Sequence, residues 1–408
     1  MQSAVPWASL RAASLLCLVG ALVIACGSVV SGTPVRQEAD LSRLEVGNYP
    51  TVPRHLGTAK TLKQGRIRES QRLADYVALP FEADPGYTED STGGTARHIV
   101  LDSKGMGDLV INDTFDDVAK DLVAGWVNRW DTGGPPGAPR RTLAIAVLEF
   151  PDAATATTVA ATLEHDDFTY HSIGLPWYMA DSEPVSFPKY QGTKAHWRPP
   201  TPALVSWTVR DRYVVFVKII DDTATPDLPA LIGRTEHMLD VAVPLLDQFR
   251  PTPADQLRSL ALDPDDVLAR TLATNPEFVW RPDPDGVFTG RGAVFGLEST
   301  NLDFLTTGDI DRIAFGDTTV FRSRSAAGAR RIWQKWADEL RTEQNRQAID
   351  PPKGIDGEIV CARPSQQIPF DVFRCIFQID RWTVQAPGRQ QQDLFQKVSA
   401  QYALLTRR

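Results

Sequence analysis

Apolar positions along this chain follow two rhythms, one suited to strands and one to helices. Thr142 to Phe150 (TLAIAVLEF) is a nearly unbroken apolar, β-branched run closed by Pro151, which predicts a buried strand. Asp152 follows as an N-cap, and the Ala/Thr-rich stretch Ala153 to Leu163 predicts a helix. Ala203 to Val209 and Tyr213 to Ile220 predict two more strands, with Arg210-Asp211-Arg212 between them at hairpin spacing. Leu228 to Leu246 predicts a helix with Leu228, Leu231, Ile232, Met238 and Leu239 on its apolar side. Pro229 falls in its tolerant first turn, whereas Pro244 is expected to kink or end it. Arg68 to Leu79 predicts a helix, alone or running into a strand at Tyr76 to Leu79.

The second half repeats this order. Thr318 to Phe321 predicts a strand, Ser325 a cap and Ala326 to Leu340 a helix. Ile359 to Ala362, Phe373 to Ile379 and Trp382 to Val384 predict strands. Gln391 to Leu405 predicts a last helix, with Leu394, Phe395, Val398, Tyr402 and Leu405 at core spacing. Two local matches strengthen the parallel. Asp152-Ala153-Ala154 and Ser325-Ala326-Ala327 each follow a strand, and Val209-Arg-Asp-Arg-Tyr-Val214 matches Gln378-Ile-Asp-Arg-Trp-Thr383. We therefore read an internal duplication with a unit of about 170 residues. The expected fold class is α+β: two duplicated modules, each a mainly antiparallel sheet with helices packed on one face. This alignment sets Cys375 against Ser206 and Cys361 against Gly192.

The N-terminus follows another pattern. After Arg11, the apolar run Ala12 to Ala25 is too short to span a bilayer and suits a signal-peptide core. It ends in Val23-Ile24-Ala25-Cys26-Gly27, which resembles a bacterial lipobox. The resemblance to lipoprotein precursors implies cleavage after Ala25 and diacylglycerol on the Cys26 sulfur. An ordinary secretory signal or a retained anchor are the alternatives. Two or more acyl chains anchor a protein stably where one does not. The expected organisation is a signal peptide over 1–25, a lipidated tether and docking segment over 26–58, and modules over 59–250 and 251–408. Leu44, Val46 and Tyr49 are superfluous in a pure spacer, so the second part of the tether is expected to dock on the body.

Composition narrows the function. The 408 residues carry 43 Lys+Arg against 51 Asp+Glu, and this net charge of −8 excludes the basic footprint of a nucleic-acid binder. A hydrophobic fraction of 42% supplies real cores and excludes wholesale disorder. Of four cysteines, Cys17 leaves with the signal and Cys26 carries lipid. The remaining pair, Cys361 and Cys375, is expected to form a disulfide closing a loop of about 15 residues, worth roughly 3 kcal/mol. A redox or metal pair is the alternative, without a CxxC spacing or a nearby histidine to support it.

No catalytic residue, metal site or cofactor is assigned. Histidines occur at 55, 98, 165, 171, 196 and 237. The closest pair, His165 and His171 beside Asp166 and Asp167, has no metal-ligand spacing and reads as surface residues after a helix end. Ser186 to Lys189 matches S-x-x-K only formally, because Pro184 and Pro188 oppose the helix that motif needs. Gly290 to Gly296 reads as a turn, and Asp263 to Asp266 and Asp283 to Gly286 as acidic turns. Trp177 and Tyr178, after Gly174-Leu175-Pro176, either line an apolar ligand groove or pack in place. Trp333 and Trp336 share a helix face, in a core or at the seam between modules.

Beyond the lipobox, three stretches resemble a known group: Leu41 to Arg54 (LSRLEVGNYPTVPR), Leu73 to Pro80 and Leu262 to Arg270. With them the chain is similar to the uncharacterised envelope lipoproteins of mycolic-acid-bearing actinobacteria, over nearly the whole mature length. The resemblance implies an envelope location and a two-domain build, and it transfers no catalytic residue. The resulting expectation is a non-enzymatic protein held on the outer face of the cytoplasmic membrane through Cys26. It would bind an envelope lipid or protein partner, and no nucleic acid, in the cleft between its modules. The alternatives are an envelope hydrolase with a noncontiguous site built from the first-half histidines, His165, His171 and His196 among them, together with carboxylates, and a structural or assembly factor.

Overall fold

Fourteen strands and five long helices organise the described part of the chain. The computed structural model describes residues 40–90, 96–111, 113–135, 137–175, 178–199, 201–276, 284–297, 302–366 and 372–407. The expected signal peptide, Cys26, the first part of the tether and Trp177 lie outside the described residues. The strands are β1 (Glu89–Asp90), β2 (Ala124–Asp131), β3 (Arg141–Glu149), β4 (Glu183–Pro184), β5 (Lys194–Trp197), β6 (Ala203–Arg210), β7 (Tyr213–Asp221), β8 (Gly286–Phe288), β9 (Ile310–Phe315), β10 (Thr319–Ser323), β11 (Arg346–Ile349), β12 (Glu358–Pro364), β13 (Phe373–Ile379) and β14 (Trp382–Gly388). The long helices are α1 (Leu62–Leu73), α2 (Ala153–Thr169), α3 (Leu228–Leu246), α4 (Ala326–Thr342) and α5 (Gln391–Thr406).

Two antiparallel sheets of seven strands result, in the orders β1-β2-β3-β7-β6-β5-β4 and β8-β9-β10-β14-β13-β12-β11. The second order is the first repeated strand for strand. Local details repeat as well. Asp152 and Ser325 cap α2 and α4 by accepting from Thr155 N at 2.8 Å and Gly328 N at 3.1 Å. Asp211 and Asp380 occupy the two-residue turns β6–β7 and β13–β14 at φ 50° and 51°, a left-handed conformation that Asp tolerates. The α+β class with two modules holds.

Helix placement departs from the expectation, because each sheet is covered on both faces. Ala144, Ala146 and Leu148 of β3 pack with Ala156, Val159, Ala160 and Leu163 of α2. The alternate residues Leu143, Ile145 and Val147 pack with Leu231, Met238, Leu239 and Ala242 of α3. A strand without a polar face needs cover on both sides, and the unbroken apolar run of β3 already carried that information. In the second module α5 covers Val320, Phe377 and Val384, while Trp333, Ala337 and Leu340 of α4 cover Ala362 and Ile376. Trp333 is therefore core, and Trp336 packs on Phe321 with ring centroids 4.7 Å apart.

Other local expectations shift. The helix before Leu79 starts earlier, at Leu62, and ends in a 3-10 turn over Ala74–Tyr76 without a following strand. Helix α3 runs through Pro244 to Leu246. Cys361 and Cys375 are direct cross-strand partners joined by a disulfide. In the first module Ser206 pairs with Ala195, so the counterpart of Cys361 is Ala195 and not Gly192. The strand register decides this, since the connection from β5 to β6 is shorter than that from β12 to β13.

The described residues pack as one compact unit. A single apolar cluster runs from α3 and the face it covers to Phe288, Phe315 and Phe321 of the second sheet and Ile332 of α4. Where the modules meet, Phe295 packs tilted against His98 at 4.5 Å and edge-on against Trp126 at 5.3 Å, so rings fill this part of the junction. Helix α1 also ties the halves, through Arg68 Nη1 donating to Val287 O at 2.7 Å. Upstream, Leu44 is buried against the second module and Tyr49 donates to Asp393 at 2.7 Å. Among the described residues no helix is long and apolar enough to cross a membrane.

Candidate functional site

Strand β5 and the end of α2 together gather a group of buried charges in the first module. In Lys194-Ala-His-Trp-Arg198, alternation puts His196 and Arg198 on one face, and both are wholly buried. Glu164 and Asp167 of α2 stand one turn apart and so share the helix face turned toward that strand. His196 Nε2 lies 2.9 Å from Asp167 Oδ2, and Nδ1 lies 3.1 Å from Glu164 Oε1. Two carboxylates facing both ring nitrogens are satisfied together only by the imidazolium. Burial pulls the His196 pKa down, but hydrogen bonds from Asp167 and Glu164 outweigh it and hold the pKa above the ordinary histidine value. Burial likewise pushes Asp167 up, yet the His196 hydrogen bond and charge leave it below the usual carboxylate value.

Asp167 Oδ1 accepts from Ile111 N at 3.0 Å and from the Tyr178 hydroxyl at 3.0 Å. Arg198 lies 4.6 Å over the Tyr178 ring and donates to the carbonyls of Asp167, Phe168 (3.4 Å) and Tyr170 (3.3 Å). A guanidinium at those carbonyls satisfies the open end of α2 and complements its dipole. His196 is further enclosed by Trp207, stacked at 5.6 Å, and by the edge of Phe168 at 5.4 Å. The cluster is a closed knot in which these side chains contact one another.

From this knot emerges the segment carrying the expected groove pair. Tyr178 is 7% exposed and spends its ring and hydroxyl on Arg198 and Asp167, so it lines no apolar groove. Burial, first, and the Asp167 charge push its phenol pKa up. The loop around it closes on itself through Ser172 N to Tyr178 O at 3.0 Å and Tyr178 N to Leu175 O at 2.8 Å. Ser182 ties its far side to Phe168 O at 2.7 Å. Held this way, the loop presents Ile173 at 94% exposure, Leu175 at 46% and Met179 at 61%. Exposed apolar side chains grouped on one anchored loop mark an interaction site more often than scattered ones do.

The histidines of the hydrolase reading are not assembled. His165 lies exposed within the last turns of α2, not after its end, and His171 pairs on the surface with Asp181 at 2.9 Å. Among the described residues no three His, Cys, Asp or Glu side chains are grouped to hold a metal ion. Two further buried charges lie elsewhere in the first sheet. Lys218 donates to Leu109 O at 2.8 Å beside a void of about 70 Å³, and burial lowers its pKa to about 8. Burial, with the charge of Glu69, raises Glu149 to about 8.

The second module has a groove where the first has the knot. Leu340, Ile349, Ile359, Val360, Cys361 and Ala362 line about 160 Å³ of space, with Arg341 and Arg346 among its walls. Sequence reasoning missed both places. The alternation of His196 and Arg198 around Trp197 was a usable signal for the knot, since two charges on one face of a short strand require partners.

The extracellular domain of PknH from Mycobacterium tuberculosis, a solved structure, is similar to the chain at 14% identity with a TM-score of 0.27, over 44% of this chain and 97% of that one. No curated protein matches the chain. The N-terminal domain of the family described as domain of unknown function DUF7373 matches residues 56–262, its C-terminal domain matches residues 267–408, and the chain therefore belongs to that two-domain family.

Proposed function

We propose that the protein is a lipid-anchored component of the cell envelope, held through Cys26 on the outer face of the cytoplasmic membrane, that recognises a partner with the Ile173–Met179 loop. The observation carrying this reading is three exposed apolar residues on one loop whose base is fixed by an ionic knot with Asp167, His196 and Arg198 buried at its centre. Building such a base removes several charges from water, which is costly unless all are paired. The knot holds the loop in one shape, so less conformational entropy is lost when a partner binds. The hydrolase alternative gains no support from His196, because both its nitrogens are engaged and aromatic rings close over it.

Two measurements test the reading in a bacterium that processes lipoproteins. Cys26→Ala is expected to move the chain from the membrane fraction to the soluble one. A photoreactive amino acid at position 173 is expected to give a discrete crosslinked product in membranes, lost on Met179→Asp. Absence of any product from position 173 overturns the loop as a recognition element.

A further inference from the structure

Counting from the caps Asp152 and Ser325, Glu164 and Asp167 of α2 correspond to Ala337 and Leu340 of α4. Strand register pairs His196 with Val205 and Ala362 with Arg374, so His196 corresponds to Ala362. Leu340 and Ala362 both line the groove of the second module. Their counterparts Asp167 and His196 are instead hydrogen-bonded to each other, and Asp167 also accepts from the Tyr178 hydroxyl. One site in the duplicated fold is thus plugged in the first module by a residue of the loop, and open in the second.

We propose that the groove of the second module receives the Ile173–Met179 loop of a second copy of this chain. The inference rests on the reading of that loop as a recognition element, and it names the partner. Space agrees: about 160 Å³ is the size of the apolar cavities, about 150 Å³, that accept a benzene-sized group. Polarity agrees too, with Leu340, Ile349, Ile359 and Val360 facing Ile173, Leu175 and Met179.

Charge orients the contact. Asp166, Asp181 and Glu183 flank the loop outside the knot, and no Lys or Arg lies between 164 and 183 in the sequence. The groove walls contain Arg341 and Arg346 and no carboxylate. Both arginines already meet a neighbour, Asp338 at 2.7 Å and Glu343 at 3.2 Å, so the attraction sets orientation more than affinity. Loop and groove lie in different modules, so the contact is heterologous and propagates head to tail. One loop in one groove is smaller than a standard interface and weak in free solution. Copies confined by acyl anchors to one membrane face meet at a far higher effective concentration.

The test places cysteines at both ends in the full, membrane-held chain. Ile173→Cys with Ile349→Cys, treated with a short bis-maleimide, is expected to give a ladder of dimers, trimers and longer products. Co-expressing the two single variants is expected to give a dimer and nothing longer, and either single variant alone no product. Leu175→Asp in the double variant is expected to lower the yield at least about tenfold, because it carries an unpaired charge into the groove. A dimer from Ile173→Cys alone, or no product in any combination, overturns the proposal. If photocrosslinking from position 173 yields another protein or a lipid while position 349 stays unreacted, the recognition loop stands and the second-copy partner falls.

Discussion

The two modules share strand order, caps and turn geometry, yet they fill one equivalent position with opposite chemistry. At the end of α2 the first module buries Asp167, His196 and Arg198 in contact with the half-buried Glu164. At the end of α4 the second module places Ala337, Leu340 and Ala362, backed by Trp333 and Ile376. Beside this position the pair Ala195–Ser206 becomes the disulfide Cys361–Cys375. A second contrast lies at the strand end next to the turn. There Glu149 is buried with Oε2 lacking a hydrogen-bond partner among the described residues, whereas its counterpart Arg322 meets Asp311 at 2.8 and 2.9 Å. Topology tolerates either solution, because backbone pairing and apolar layers build the module. The local chemistry then determines whether a surface loop is pinned or a groove stays open.

The largest effect is expected from breaking the knot. Asp167→Ala leaves His196 and Arg198 buried without their carboxylate and should cost about 3–5 kcal/mol of unfolding free energy, measured by chemical denaturation of the full chain. Installing the second module's residues sharpens the comparison. Glu164→Ala, Asp167→Leu and His196→Ala combined with Arg198→Met should recover most of that loss, since replacing a whole buried ionic group is often neutral or stabilising. If the combined variant is no more stable than Asp167→Ala, the two sites are not interchangeable solutions.

Next comes the staple. Cys361→Ala with Cys375→Ala should cost about 3 kcal/mol. Conversely, Ala195→Cys with Ser206→Cys should form a second disulfide in the first module, detected as a reduction-sensitive mobility shift, because those residues already face each other in register. Failure to oxidise would mean that the two hairpins differ in geometry despite equal pairing.

Titration separates the modules next. The raised pKa of His196 gives stability that is full below about 6.5 and fades as pH rises through the folded value. The lowered pKa of Asp167 gives stability that is full above its ordinary value and fades as pH falls through the folded one. The knot is therefore most stabilising between about pH 4 and 6.5, a maximum that the combined apolar variant should lack. Glu149 acts with the opposite sign to a paired acid. Its pKa is raised from 4.5 to about 8, so the folded state holds the proton longer and stability falls as pH rises across that interval. Glu149→Gln should remove this fall and so raise stability above pH 8, by up to about 5 kcal/mol.

The smallest expected effects are equal ones. Asp152→Ala and Ser325→Ala should each cost about 1 kcal/mol, because each removes one cap bond from a corresponding helix start. A clearly unequal pair of losses would show that the two helix starts carry different loads.

Much of this architecture was legible beforehand. The caps Asp152 and Ser325, the hairpin centred on Asp211 and its copy at Asp380, and the core spacing of Leu394, Val398 and Tyr402 are local features, and each appears where it was read. The strand ends were less legible, since β12 and β14 extend beyond the apolar residues that announced them into Pro364 and Gly388. Backbone pairing continues where side chains give no sign. The candidate site was illegible for a related reason. Tyr178 was read by its apolar neighbours, while its fate was settled by Asp167 and Arg198, which reach it from a helix and a strand.

Sequence alone therefore determined what depends on near neighbours: helix starts, turns, strand identities, the pairing partner of Cys361 and the repetition of the whole order. Tertiary structure decided what depends on register and on facing elements. It covered both faces of each sheet, made Ala195 the counterpart of Cys361, filled the module junction with rings, and buried His196 between two carboxylates while leaving Ile173 in solvent. The physical reason is range. Caps and turns are hydrogen bonds between residues a few positions apart, whereas desolvation of a charge is set by every element packed around it.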